Sequence, residues 1–242
     1  MSNWLKKISV LLFTIFAFAT AHAQQGVTPL DPPQPVENDG KVEVLEFFAY
    51  GCIHCANLEP SLEAWAKKQP ADVKVKRIPS PVAIMGIDST VMYYSLEALG
   101  QIERLHPKIF EAAHIEKVTL GNPAVLNKWL EKNGVDPKKY EEVQKSFSVV
   151  TKVNRARKMV EQYKIQATPT LIVNGRYSLE QGSSGAQVMF DRVDQLIAEA
   201  RVALKTPAAS AATSAPATAP VKAVAKEAVK ATVKTSGAAA AK

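Results

Sequence analysis

The chain has 242 residues, 47% of them hydrophobic, so it can bury a full core and is not disordered as a whole. Its formal charge of +7 is unevenly placed: residues 1–23 carry +2 and residues 206–242 carry +4, leaving +1 for residues 24–205. A body that close to neutral has no electrostatic footprint for nucleic acid.

Lys6 and Lys7 precede an apolar run from Ile8 to about Ala19, and Ala21-His22-Ala23 has the small-x-small pattern of a signal-peptidase site. Residues 1–23 therefore read as a cleaved secretory leader, too short in its apolar run for a bilayer span. The mature protein is expected to begin near Gln24, in an oxidising compartment outside the cytoplasm. Residues 24–40, with Pro29, Pro32, Pro33, Pro35 and Gly40, favour an extended lead-in over a packed element. The fold is expected to span 41–205.

From Val42 to Tyr50 the residues are β-branched, aromatic or leucine apart from two glutamates and an alanine, the pattern of a strand buried on both faces. Glu46 is the anomaly in it, since a carboxylate there is costly without a partner or a chemical task. The strand runs into Cys52-Ile53-His54-Cys55, which holds both cysteines of the chain. Leu58, Leu62 and Trp65 then recur at helical spacing, so the pair opens an amphipathic helix, with Pro60 inside it. A helix N-terminus beside a histidine lowers a thiol pKa, which marks Cys52 as the reactive cysteine and Cys55, one turn deeper, as the shielded one. Val73 to Ile78 reads as a second strand, with Arg77 a candidate counter-charge for Glu46.

Through 86–162 the period is helical, punctuated by Gly100, Pro107, Gly121-Asn122-Pro123 and Asn133 to Pro137. A capped helix is predicted from Asn122, and a longer one after Asp136 with Tyr140, Val143, Phe147 and Val150 on one stripe. Tyr93, Tyr94, Trp129, Tyr140 and Phe147 are expected in the core, and His106 and His114 as ordinary surface or partly buried side chains. Gln166 to Tyr177 gives Thr168-Pro169, a strand, an Asn174-Gly175 turn and a return strand. Gly185 to Leu204 reads as a closing amphipathic helix. Residues 206–242, rich in Ala, Pro and Lys without an aromatic residue, are expected to be a disordered tail.

The order strand, C-x-x-C helix, strand, helical block, Thr-Pro, hairpin, helix resembles an α/β thioredoxin fold with an inserted helical subdomain. With the secretory leader, Glu46, Phe47-Phe48 and Cys52-x-His54-Cys55, the chain is similar over residues 40–205 to DsbA-type periplasmic thiol:disulfide oxidoreductases. That resemblance implies introduction of disulfide bonds into reduced or unfolded secreted proteins by the Cys52–Cys55 disulfide, with reoxidation by a quinone-linked membrane oxidase of the DsbB type. It implies a periplasmic monomer without cofactor or metal, a stabilised Cys52 thiolate assisted by His54, and Glu46 as a buried proton acceptor or tuning charge. It also implies a substrate-binding surface of Ile53, Thr168 and Pro169, with a cis peptide bond before Pro169. Ile53 departs from the family pattern, which carries proline there.

Other functions remain open on the residues. A zinc site would have only Cys52, Cys55, His106 and His114 to draw on. A binding module with a structural disulfide gains little stability from so small a loop. An isomerase or reductase of the same fold shares the site residues and differs in the direction of electron flow.

Overall fold

The computed structural model describes residues 26–37, 39–81, 85–182 and 185–205. The leader assigned to 1–23 and the tail assigned to 206–242 lie outside the described residues. Twelve elements follow in chain order: β1 (Val27–Pro29), β2 (Val42–Phe48), α1 (Ile53–Ala66), β3 (Val73–Pro79), α2 (Ser89–Ala98), α3 (Ile102–His114), α4 (Pro123–Lys132), α5 (Pro137–Gln144), α6 (Phe147–Gln162), β4 (Thr170–Val173), β5 (Tyr177–Glu180) and α7 (Gly185–Lys205).

The strands form one mixed sheet in the order β1-β5-β4-β2-β3, with β2 parallel to β3 and antiparallel to β4. Its central strand, β2, is buried at all seven positions. Alternation sends Val42 and Val44 to the face packed on α1 and α7, where Leu58, Leu62 and Leu196 complete the layer. Leu45 and Phe47 face the other way, onto Tyr94, Val149, Val153 and Tyr163. A further core joins the end of β2 to the helices between β3 and β4, through Phe48, Tyr50, Cys55, Leu96, Leu105, Ile109, Phe110 and Leu130. The thioredoxin-type sheet with an α-helical insertion is thus present, and the start of α1 sits where sheet and insertion meet.

The inserted helices begin at side chains that supply acceptors for otherwise unpaired N–H groups. Asp88 accepts from Thr90 and Val91, Asn122 from Ala124 and Val125, Asp136 from Lys138, and Ser146 from Val149. The Ser146 cap corrects the single long helix expected after Asp136. It starts a new helix and rotates the stripe, so Tyr140 is buried while Phe147 is 87% exposed and does not belong to the core. Pro107 does not separate two helices; it lies inside α3.

Three residues of the segment read as an extended lead-in form β1, which pairs with β5. Its continuation is tied to the hairpin by Leu30 N–H to the Arg176 carbonyl and Gln34 N–H to the Gly175 carbonyl, both at 2.8 Å. The hairpin itself turns through Asn174 and Gly175, both with positive φ. A Cβ on Gly175 would run into the Gln34 carbonyl, so that position takes glycine for space as well as for φ.

Candidate active site

Cys52 is the N-cap of α1, placed by a turn in which its N–H donates to the Ala49 carbonyl at 3.0 Å. The N–H groups of a helix's first turn have no partner within the helix, so they are available to the Cys52 sulfur. Its pKa is pushed down to about 5. The Cys55 thiol contributes most, as a hydrogen-bond donor; Thr168 and the backbone N–H groups of Cys55 and His54 act in the same direction, against burial. Cys55 is fully buried one turn further on, and its pKa moves far upward because the shared proton stays on it and because burial disfavours its charge. The two thiols are both free, and they divide into a stabilised anion and a retained acid.

The loop before β4 closes over this pair. The Thr168–Pro169 peptide is cis, and the Thr168 carbonyl oxygen lies 3.2 Å from Cys52 Sγ. Thr168 is half-buried and Pro169 buried, beside the exposed Gln166 and Ala167. Ile53 is 46% exposed on the outer surface of the first turn. The sequence-assigned residues Cys52, Cys55, Thr168 and Pro169 therefore meet at one sulfur, with Ile53 at the rim. His54 enters differently from the expectation: its side chain is exposed, and its backbone N–H is the group that acts on Cys52.

Beneath α1 lies a cluster of buried charge. Glu46 and Arg77 are register partners across the β2–β3 ladder, with Arg77 Nε 3.4 Å from Glu46 Oε2. Arg77 Nη2 also reaches Glu59 at 2.9 Å and Glu63 at 2.6 Å. Glu46 is buried, not at a sheet edge, and its pKa is pushed up to about 8 by burial and then by the neighbouring Glu59, with Arg77 pulling the other way. One guanidinium facing three carboxylates leaves room for a proton to stay on one of them, and Glu46 is where it stays near neutral pH.

His106 is a correction. It is buried rather than partly exposed, with Nε2 3.2 Å from Glu59 Oε2 and Nδ1 2.8 Å from the Tyr50 hydroxyl. His114 meets the Tyr50 carbonyl with Nε2 at 2.8 Å, so both histidines of α3 are engaged at Tyr50. Among the described residues no group of three or more His, Cys, Asp or Glu could hold a metal ion. Glu59 was not singled out from sequence, and His106 was read only as an ordinary surface or partly buried side chain, yet a signal existed for both. Each sits on an apolar helical stripe, Glu59 with Cys55, Leu58 and Leu62, His106 with Ile102, Leu105, Ile109 and Phe110. Polar groups on such stripes need partners. A cavity of about 870 Å³ lies away from the sulfur atoms, between β3, α2 and α6, with Lys76, Tyr94 and Lys152 in its wall.

A thioredoxin-type sheet, a C-x-x-C pair opening a helix with one thiol acidified and one buried, and a Thr-Pro loop against the Cys52 sulfur together fit a dithiol–disulfide exchange enzyme. Comparison narrows the class. Residues 81–196 match the DSBA-like thioredoxin domain family. The chain is 41% identical over 191 residues to the thiol:disulfide interchange protein DsbA of Bordetella parapertussis, covering 78% of this chain and 91% of that one. It is 35% identical over 177 residues to DsbA of Pseudomonas aeruginosa, covering 73% and 84%. The crystal structure of Pseudomonas aeruginosa DsbA superposes with a TM-score of 0.69 at 33% identity, covering 76% of this chain and 96% of that one. Reduced DsbA1 of Neisseria meningitidis gives 0.63 at 31%, covering 75% and 95%. The chain belongs to the DsbA family and is a thiol:disulfide oxidoreductase.

Proposed function

We propose that the protein introduces disulfide bonds into reduced secreted proteins in the periplasm, with Cys52 as the sulfur that exchanges with the client. A client thiolate attacks Cys52 of the Cys52–Cys55 disulfide, forming a mixed disulfide and releasing Cys55 as a thiolate that takes up a proton. A second client thiolate attacks the client sulfur of that mixed disulfide, and Cys52 departs as a thiolate. The client leaves with a disulfide, and the protein holds two more electrons as the Cys52/Cys55 dithiol. Electrons then pass to a membrane oxidase of the DsbB type, which restores the disulfide.

The observation that carries this reading is the contrast between the thiols, Cys52 lowered to about 5 and Cys55 displaced upward. Stabilising the anion of the reduced form makes the disulfide a stronger oxidant, which favours donation of disulfides over a reductase role. The Thr168 backbone at 3.2 Å from Cys52 supports an extended client pairing beside the sulfur, with Ile53 offering it an apolar contact. Glu46 serves as the buried group that exchanges a proton near neutral pH, and His54 supplies its N–H to the thiolate.

The experiment is equilibration of the Cys52/Cys55 pair with reduced and oxidised glutathione, alongside disulfide formation in a reduced client. A pair more oxidising than glutathione, with stoichiometric disulfide transfer, is the expected result; a pair at the strongly reducing end, near the thioredoxin value of about −270 mV, would overturn the oxidase direction.

A further inference from the structure

Tyr50 lies two residues before Cys52, fully buried, at the corner where β2 gives way to α1. It is one of the two residues enclosed by the turn that ends with Cys52 N–H on the Ala49 carbonyl. Each of its three polar groups is taken by a side chain from the helices between β3 and β4. Its N–H donates to Ser89 Oγ at the start of α2, at 2.8 Å. Its carbonyl meets His114 Nε2 at the last residue of α3, and its hydroxyl meets His106 Nδ1 two turns earlier, both at 2.8 Å.

The Tyr50 hydroxyl and His106 Nδ1 share a single hydrogen bond, so each is the other's partner. A carbonyl only accepts, so His114 Nε2 carries the proton it presents to Tyr50. The rings of Phe48 and Phe110 pack edge-on against both Tyr50 and His106, which seals the hydroxyl–imidazole contact inside an aromatic shell. In such surroundings an unpaired hydroxyl, carbonyl or imidazole is expensive, so the turn and the two helices hold one relative position together.

We propose that Tyr50 is a positioning residue for disulfide exchange: Ser89, His106 and His114 grip it, and the helical insertion thereby sets the place of Cys52 Sγ over the first turn of α1 and against Thr168. The turn is only four residues long, so a displacement of Tyr50 is carried to Cys52 with little loss. Hydrogen bonds to the sulfur weaken steeply with angle and distance, which turns a small displacement into a change in how well the anion is held. Side chains more than 30 residues away in the chain thus act on the reacting atom without touching it.

Three substitutions in the full chain test this. Tyr50→Phe deletes one hydroxyl and keeps the ring, His114→Leu deletes the donor to the Tyr50 carbonyl, and His114→Gln returns an amide donor. The readouts are the ultraviolet titration of the Cys52 thiolate in the reduced protein and the equilibrium constant with glutathione. Tyr50→Phe and His114→Leu are each expected to raise the Cys52 midpoint and make the pair less oxidising by about three- to tenfold, the change that one hydrogen bond carries. His114→Gln is expected to recover part of that loss. Parent-like titration and equilibrium in both Tyr50→Phe and His114→Leu would overturn the proposal, as would equal destabilisation of the oxidised and reduced forms with an unmoved titration. The inference rests on Cys52 being the reactive thiol, and the parent protein measured alongside separates the two ideas: an ordinary Cys52 midpoint in the parent sinks that reading itself.

Discussion

The first turn of α1 and the strand pair beneath it hold ionisable groups a few residues apart, and the same helix treats them in opposite ways. At the turn, hydrogen-bond donors converge on Cys52 and its anion is favoured, with a pKa near 5. In the sheet, Glu46 is enclosed with other carboxylates around one guanidinium, and its anion is disfavoured, with a pKa near 8. Burial alone does not decide the sign, because both groups are buried. What decides it is whether the surrounding dipoles outnumber the neighbouring like charges. The site therefore places an acid that loses its proton easily above one that keeps it to neutral pH, which is an arrangement suited to exchanging a disulfide and moving a proton nearby.

The largest effect expected from breaking this contrast is at the cysteines. Cys52→Ser is expected to abolish disulfide transfer, while in Cys55→Ser the Cys52 thiolate still attacks the disulfide of an oxidised client, releasing one client thiolate, and the resulting mixed disulfide, with no Cys55 to resolve it, accumulates and is visible on non-reducing gels. Equal loss without mixed disulfide in both variants would count against the division of labour.

Removing the charge question at the other end, Glu46→Gln, is expected to stabilise the folded protein increasingly as pH rises from about 4.5 to 8. A carboxyl whose folded pKa is raised to about 8 binds a proton in the folded state that the unfolded chain has already released, so the parent loses stability through that window and the glutamine variant does not. The gap at the alkaline end is on the order of a few kcal/mol. Denaturant unfolding of both proteins at pH 5 and pH 8.5 reads it, and a constant gap would deny that Glu46 titrates there.

The thiol end has the opposite slope. A folded pKa of about 5 gives the reduced protein stability that is complete above the unfolded thiol value of about 8.5 and fades as pH falls through 5. The oxidised protein has no thiol to titrate, so the reduced form should gain on it by roughly 2–3 kcal/mol between pH 5 and pH 7. Parallel pH profiles for the two redox forms would contradict this.

Two smaller effects sharpen the picture. His54→Ala keeps the backbone N–H that faces Cys52 and removes only an exposed ring, so the pair should become less oxidising by no more than about 10–20 mV. A shift of several times that size would show that the imidazole, not the backbone, holds the thiolate. Phe147→Ser, on the exposed start of α6, should change unfolding free energy by no more than about 0.5 kcal/mol. A core-sized loss there would restore the stripe that the Ser146 cap interrupts.

Much of this was legible in the chain because it rests on local signals. The two-face burial of β2, the helix opening at Cys52, the Asn174-Gly175 turn and the Thr168-Pro169 step each announce themselves within a few residues. Glu46 stood out because a carboxylate in a buried strand demands a reason, and Arg77 followed from strand phase. The partners of Tyr50 were not legible, because Ser89, His106 and His114 reach it from 39 to 64 residues away and only packing brings them there. The break before Phe147 was hidden for another reason: apolar spacing continues across Lys145-Ser146, and a serine hydroxyl on the Val149 N–H overrides it. β1 was obscured by Pro29 at its end and the prolines that follow it, since an edge strand tolerates a proline and a central strand does not.

The central claim is that Cys52 is an acidic thiol because of where the fold puts it. Ultraviolet titration of the reduced protein from pH 3 to pH 9, with Cys55→Ala as the companion, tests it most directly. The account predicts a single Cys52 transition near pH 5 in the parent, moved upward in the companion because the Cys55 thiol is the leading donor. A parent transition at the ordinary thiol value of about 8.5 would contradict it.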